Sequence, residues 1–431
     1  MILGLIELAL VVVLCLSGVH IAIAMGMVGI AAAWIYYGDV SGVYLAGITA
    51  WDNCTSWSLS MIPLFVFMGS LVAACGLGRD AFDCFNKWLS KIRGSLAIVA
   101  TVTSAVFGAI TGSTPATIVT IGGITVPEMK RLGYSIPLRT GSIAVAGILA
   151  NLIPPSIIAI IYCTLTEASI GKVFMAGLIP GVILTLFFAI TIYIWVSLNP
   201  SIAPVPSESY TFKEKVASLK LPLPIIGVFV LMMGGIYTGI FSPTEAAGIG
   251  AGLVLILVII MKRLTWKRLI DALSGTVRIT AFLMFIIMGG MLFAHTIALT
   301  HFPTILANTI LGWALPPIAL MFTVIAAIIV LGCVLDVMGL LVLFIPLFLP
   351  VIIEIGFDPV WYGTLSVMLV EIALITPPVA GNIYFAQAVD PESTVISVTR
   401  GVVPFYAAAL VLVALLVFFP QIALWLPSMM T

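Results

Sequence analysis

The chain has 431 residues, 62% of them hydrophobic and 8% charged, at a mean hydropathy of +1.29. A soluble domain carries about 45–50% apolar and about 25% charged residues, so lipid must be the solvent for most of this chain. Seventeen Lys and Arg balance seventeen Asp and Glu, which leaves no basic excess for a nucleic acid.

The N-terminal run MILGLIELALVVVLCLSG lacks a basic n-region. It reads as a first membrane helix and not as a cleaved signal peptide. Charges then mark where the chain leaves the membrane, in clusters at Arg79–Arg93, Glu128–Arg139, Glu208–Lys220, Lys262–Asp271, Glu354–Asp358 and Asp390–Arg400. The two basic clusters Arg79–Arg93 and Glu128–Arg139 are expected on the cytoplasmic side. The first has Phe82, Phe85, Trp88, Leu89 and Ile92 along one side, the pattern of an amphipathic helix lying in the interface.

Between those clusters Gly94–Pro127 is uncharged. As one straight helix it would run about 50 Å, against a hydrocarbon core of about 30 Å, and a single crossing would put its ends on opposite sides. Thr111-Gly112-Ser113-Thr114-Pro115 near its middle breaks a helix. The segment therefore predicts a re-entrant hairpin with its tip at Gly112–Pro115. Non-helical backbone at that depth is tolerated only inside protein or beside a cavity, so the tip is a candidate site. Thr140–Leu165 is long enough to span, but Asn151-Leu152-Ile153-Pro154-Pro155-Ser156 interrupts it. Two prolines remove two donors and free upstream carbonyls, which predicts a broken helix.

The same pair of elements recurs. Pro127, Gly133, Pro154 and Pro155 map onto Pro350, Gly356, Pro377 and Pro378, each 223 residues later, and Phe67-Met68-Gly69 resembles Ile287-Met288-Gly289 at a shift of 220. The second hairpin, Leu315–Ile353, is followed by Glu354 and Asp358 with no Lys or Arg nearby, which predicts that it opens on the outer face. The two halves are thus inverted, the architecture of secondary transporters whose broken helices meet at the midplane. Asp336 is the only Asp, Glu, Lys or Arg between Arg278 and Glu354, and it falls opposite Ser113 at the repeat shift. A carboxylate at the bilayer centre costs at least about 2.5–3.5 kcal/mol, so a bound cation is its natural partner. Oxygen-only ligands suit a hard ion.

Catalysis finds no support. None of the three histidines, His20, His295 and His301, lies in HExxH, and there is no Walker A, GxGxxG or GxSxG motif. A hydrolase pairing a serine with His20 or His295 has no motif behind it either. The chain is therefore expected not to be an enzyme. Cys15, Cys54, Cys75, Cys84, Cys163 and Cys333 show no metal spacing and are expected to be small buried apolar residues. His295 is expected to be a satisfied core histidine. Glu371 is expected to hydrogen-bond backbone freed at a break, and Glu245 to start a helix with a Ser or Thr cap. Trp34, Trp51, Trp57, Trp88, Trp266 and Trp425 suggest an aromatic belt.

The stretches GAITGSTPATIVTIGGITVPEMKRLGY, NLIPPSIIAIIY, GIYTGIFSPTEAAGIGAG and EIALITPPVAGNIYFA resemble the large membrane (M) subunit of the TRAP (tripartite ATP-independent periplasmic) transporters. The resemblance runs over nearly the whole chain, with the four motifs in the family's order. It implies an all-α polytopic membrane protein, an inverted-repeat elevator-type transporter with two re-entrant hairpins and two broken helices. It implies import of an organic acid (a carboxylate such as a C4-dicarboxylate or sialic acid, or a sulfonate) into a bacterial cell, driven by Na+ across the inner membrane. The partners it implies are a periplasmic substrate-binding protein and a small four-helix membrane (Q) subunit, expected as a separate chain. No organic cofactor is implied. The alternative is a stand-alone sodium- or proton-coupled carboxylate carrier of related fold.

On that resemblance 1–93 would hold scaffold helices and an interfacial arm, and 94–172 the first half of the transport domain. Scaffold and a second arm would fill 173–314, the second transport half 315–390, and a C-terminal helix 391–431. Motif by motif, one sodium site would use Ser113 and Thr114 with carbonyls near Ala150, Ile153 and Pro155. The other would use Asp336 with carbonyls near Ala373, Thr376 and Pro378. The acid would sit near Ser113, Ser156, Asp336 and Asn382. Two departures stand out: Thr114-Pro115 follows Ser113 where the family has a second Ser or small residue, and Ala373 replaces a usual Gly.

Overall fold

A computed structural model describes residues 2–38, 40–204, 210–333, 335, 337–378 and 380–430. Among them all regular structure is helical, the form that satisfies its own backbone in lipid. Five of the described helices are long and apolar enough to cross a membrane, or up to eight if each bent pair is one span.

The first half opens with α1 (Ile2–Leu16) packed on α2 (Ile21–Tyr37), followed by α3 (Val40–Thr55) and α4 (Met61–Ala74). The amphipathic α5 (Leu77–Leu89) comes next. Its Asp80 takes Arg263 in a two-point ion pair, and the Trp88 indole N–H donates to the Lys215 carbonyl at 3.0 Å. The hairpin follows as α6 (Ser95–Thr111) and α7 (Thr114–Arg131), packed on each other. The broken helix is α8 (Ile136–Ala146), the single turn α9 (Leu149–Leu152) and α10 (Ile157–Thr166), bent by 44° at the break. Helices α11 (Ile170–Leu198) and α12 (Phe212–Ser218) lead into the second half.

That half repeats the order with α13 (Leu223–Tyr237), α14 (Pro243–Ile260), α15 (Trp266–Leu299) and α16 (Phe302–Leu311). A second helix pair follows, α17 (Pro317–Gly332) and α18 (Val337–Glu354). Helices α19 (Pro359–Ala373) and α20 (Gly381–Val389) form the second broken element, and α21 (Val395–Phe418) and α22 (Gln421–Leu424) close the chain.

The repeat extends to backbone detail. Gly133 and Gly356 both take positive φ, and Pro154–Pro155 and Pro377–Pro378 are both cis. In each copy the first hairpin helix touches the broken helix closely. A Cβ on Gly108 would lie 2.4 Å from Ala150 Cα, and one on Gly332 would lie 2.3 Å from Ala373 Cβ. One difference has a local cause. The chain bends by 57° between α3 and α4, where α15 runs on for 34 residues. At the bend Ser56 accepts from the Leu59 N–H and Ser60 donates to the Trp57 carbonyl. Such side-chain bonds compete with the helical ladder. At the matching place α15 has Val277, Arg278 and Ile279.

Charged loops tie the halves at one end. Arg139 grips Asp390 at 2.6 and 3.2 Å and reaches Glu392 at 3.1 Å, while Lys130 meets Glu392 at 2.6 Å. Deeper, the Tyr162 hydroxyl donates to the Pro359 carbonyl at 2.6 Å, and its ring meets Tyr362 edge-on. Ser242 and Glu245 form a capping box at the start of α14, as the sequence predicts.

Some expectations need correction. His295 is on the surface, where its Nε2 lies 3.2 Å from the Tyr37 hydroxyl. It is satisfied but not core, because its face of α15 is turned outward. Only Cys75, Cys84 and Cys163 are buried; Cys54 is exposed and Cys15 and Cys333 are intermediate. Trp361 leaves the aromatic pattern, fully buried with its N–H donating to the Leu416 carbonyl.

Candidate functional site

The first hairpin turns at Gly112 and Ser113. Gly112 has a φ of +54°, and a Cβ there would lie 2.8 Å from the Pro155 carbonyl oxygen. Glycine is required both by the left-handed backbone and by that close approach. The tip therefore sits directly on the break of the neighbouring helix. Ser113 is the N-cap of α7, half-buried, and its side chain makes no capping bond. Across the tip the Thr111 and Thr117 hydroxyls lie 3.2 Å apart.

Thr114 begins α7 and is the hub of a buried polar cluster. Its hydroxyl lies 3.1 Å from the Gly147 carbonyl, 2.9 Å from Glu371 Oε1 and 2.8 Å from Asn151 Nδ2. The Asn151 amide also donates to Glu371 Oε1 at 2.6 Å. Thr114, Asn151 and Glu371 are all buried. Glu371 belongs to α19 of the second half, yet it holds the tip and the break of the first. The expectation that it would mate with freed backbone is corrected: its partners among the described residues are the Thr114 and Asn151 side chains, brought to it by the packing of α19 on α9.

Several polar atoms here remain unmated. Among the described residues, Glu371 Oε2, Asn151 Oδ1, the Thr364 hydroxyl and both amide atoms of Asn382 have no hydrogen-bond partner. A cavity of about 10 Å³ is lined by residues including Asn151, Pro154, Ser156 and Thr364. Buried polar groups are usually mated, so such a concentration makes this a candidate site for a ligand, ion or water.

Of the other predicted residues, Ala150 is buried in α9, and Ile153 leaves that helix in extended conformation. Ser156 caps α10, accepting from the Ala159 N–H at 3.2 Å, so part of its capacity is already used. Ala373 packs on Gly332. The Thr376 hydroxyl donates back to the Ile372 carbonyl at 2.8 Å, and the Pro378 carbonyl accepts from the exposed Tyr384 hydroxyl at 3.4 Å. Asn382 is buried on α20, which packs on α7 and α8. Asp336 lies outside the described residues. Ser113, Thr114, Ala150 and Pro155 are thus gathered at one place, with Asn151 and Glu371 added to them. Asn151 was legible as the only amide beside the first Pro–Pro, and Glu371 as an intramembrane acid, but not their contact.

The donors at this place are oxygens, and among the described residues no group of three or more His, Cys, Asp or Glu could hold a metal. Helices α7 and α10 start here, at Ser113 and Ser156, and their N-termini carry partial positive charge. Oxygens suit a hard monovalent cation and helix N-termini suit an anion.

Comparison with known proteins follows the same line. The family described as "Tripartite ATP-independent periplasmic transporter, DctM component" matches residues 8–422. The C4-dicarboxylate TRAP transporter large permease protein DctM of Pseudomonas aeruginosa is 32% identical over 382 residues, 88% of each chain. The isethionate TRAP transporter permease protein DctMQ of Oleidesulfovibrio alaskensis is 29% identical over 95% of this chain but 64% of its own length. In fold, the chain is similar to the Alcanivorax borkumensis YdaH transporter, with a TM-score of 0.58 at 13% identity over 88% of this chain and 89% of that one.

Proposed function

The chain belongs to the DctM component of the tripartite ATP-independent periplasmic transporters, a multi-pass membrane permease and not an enzyme, and on that premise we propose that it imports an organic acid by sodium symport. A periplasmic binding protein would deliver the acid, and a separate small four-helix membrane subunit would complete the complex in the bacterial inner membrane. The observation that carries this reading is the first tip. Gly112 is pressed on the Pro155 carbonyl beside Ser113, whose hydroxyl makes no capping bond.

In this reading Ser113 and Thr114, with the carbonyls of Ala150, Ile153 and Pro155, hold one sodium ion. Asp336, with the carbonyls of Ala373, Thr376 and Pro378, holds the other. The acid lies between the tips, near Ser113, Ser156, Asp336 and Asn382, facing the N-termini of α7 and α10. The two hairpins and two broken helices, in 94–172 and 315–390, move as one body. The remaining helices stay fixed as scaffold. Small residues suit such a sliding boundary: Gly69 of α4 meets Thr111 of the first hairpin, and Gly290 of α15 meets Val342 of the second. Sodium couples to transport if it orders the tips before the acid binds, so that neither moves alone.

The test is thermal unfolding of the purified protein with sodium titrated against potassium at constant ionic strength. Sodium at a hundred times its Kd adds about 2.7 kcal/mol if it binds only the folded state. Wild type is expected to gain stability in sodium alone, and Ser113→Ala and Asp336→Asn each to lose part of that gain. Equal behaviour of the two ions, with the small subunit present, would sink the sodium reading.

A further inference from the structure

The buried cluster of Thr114, Asn151 and Glu371 adjoins both sides of the first sodium site proposed above. Thr114 stands next to Ser113, and Asn151 stands next to Ala150 and two residues before Ile153. Glu371 bonds to both, so one residue of the second half holds the tip and the break together. Three neighbours surround the Thr114 hydroxyl. The Asn151 amide donates to it, while Glu371 Oε1 and the Gly147 carbonyl compete for its single proton. A hydroxyl has one donor and two acceptor directions, so this one has none left for an ion. The half-buried Ser113 hydroxyl, which makes no capping bond, keeps its own.

The repeat supplies an internal control. Helices α7 and α18 begin at Thr114 and Val337, and α8 and α19 at Ile136 and Pro359, both 223 residues apart. At that shift Thr114, Asn151 and Glu371 correspond to Val337, Leu374 and Ile148. All three counterparts are apolar, and Ile148 is fully buried. The repeated fold is thus built without the polar set. An ion pair does not account for it either, since Glu371 enters no salt bridge among the described residues.

We propose that Glu371 is a positioning residue for the first sodium site, acting through Thr114 and Asn151. This rests on the sodium reading above and refines it: Thr114 anchors the tip with its side chain, and the ion is left to Ser113 and the freed carbonyls. Hydrogen-bond partners behind a metal's ligands fix the direction of those ligands, and losing one typically weakens binding about 10–100-fold. The clamp also crosses the repeat. Glu371 stands two residues before Ala373, whose carbonyl is assigned to the second ion. The helix that carries one site therefore braces the other.

The experiment measures binding of radiolabelled sodium, and unfolding temperature, for the protein co-expressed with its small subunit, with potassium keeping the ionic strength constant. The variants are Glu371→Gln, Asn151→Leu, and the combination of Thr114→Val, Asn151→Leu and Glu371→Ile, which installs the apolar set of the second copy. Thr125→Val, buried towards the far end of α7, is the control. The combination and Asn151→Leu are each expected to raise the sodium concentration for half-saturation at least about tenfold. In potassium alone the combination is expected to unfold near the wild-type temperature. Glu371→Gln, which keeps an acceptor oxygen, and Thr125→Val are expected to bind sodium nearly as wild type does. Wild-type sodium binding by the folded combination, or by Asn151→Leu if the combination does not fold, overturns the proposal. So does an unfolding temperature lowered equally in both ions with half-saturation unchanged, the mark of a purely structural role. A Glu371→Gln variant as weak as the combination overturns it too, because Glu371 is then a ligand itself. A wild type that binds no sodium overturns the sodium reading and this role with it; a wild type that binds it beside insensitive variants overturns this role alone.

Discussion

The two helix breaks descend from one repeated plan but differ in how their described residues are buried and bonded. At the first, residues 151–156 of the break are all buried, and Thr114, Asn151 and Glu371 are joined by hydrogen bonds of 2.6 to 2.9 Å. At the second, Pro377 and Pro378 are exposed and Thr376 is half-buried, bonded only within its own helix turn among the contacts described. The acid that closes the first tip comes from the second copy. The halves are therefore interlocked: the second broken helix helps to build the first site, while at its own break Pro377 and Pro378 are exposed among the described residues.

The largest effect is expected where that interlock is removed. Glu371→Leu fills similar volume but removes the acceptor that the Asn151 amide and the Thr114 hydroxyl share, leaving them only each other and the Gly147 carbonyl. Each lost hydrogen bond costs about 0.5–1.5 kcal/mol, so a loss of about 2 kcal/mol is expected, with uptake abolished. Thr376→Val at the second break removes one local bond and should cost less than about 1 kcal/mol. Denaturation in detergent and uptake into proteoliposomes measure both. Similar losses for the two variants would break the contrast.

A smaller difference is expected between two glycines. Gly112→Ala combines left-handed backbone with a contact of 2.8 Å to the Pro155 carbonyl, and overpacking of this kind costs about 1–3 kcal/mol. Gly381→Ala at the second break meets Leu374 Cδ2 at 3.1 Å and Phe385 Cε2 at 3.8 Å, the ends of side chains that can turn aside. It should stay within about 0.5 kcal/mol of wild type. A neutral Gly112→Ala, measured by the same unfolding assay, would mean that the tip does not press on the break.

The parts legible in the sequence are those with local causes. Paired prolines, charge-free runs longer than the bilayer, and Ser242 three residues before Glu245 act through their neighbours, and each predicted its element. The first tip was legible for the same reason, since Gly112 and Ser113 break a helix wherever they stand. The Glu371 contact was not, because it joins residues 220 and 257 apart in the chain. Only the packing of α19 on α9 brings them together. His295 failed for a similar reason: hydropathy identifies a membrane helix, but not which of its faces looks outward.

The smallest effect concerns the loops that join the halves at the charged end. Arg139 and Asp390 are both buried there, whereas Glu392 and Lys130 are exposed. The Lys130 ammonium, followed by Arg139, holds the Glu392 carboxyl below its ordinary value of 4.5. A carboxyl lowered on folding contributes stability that is complete above the unfolded value and fades as pH falls through the lower folded one. The contribution of this pair to the unfolding temperature should therefore be flat near neutrality and decline below pH 4.5. Glu392→Gln should decline less steeply in that window and match wild type closely at pH 7, because exposed pairs contribute little. Glu128 is lowered in the same sense by Arg131, so some acid slope should persist in the variant. Added salt should narrow the gap between the two curves, since exposed pairs are screened. Parallel curves at low salt would show that the loops are held by the buried Arg139–Asp390 pair alone, and that the exposed pair adds nothing to the interlock.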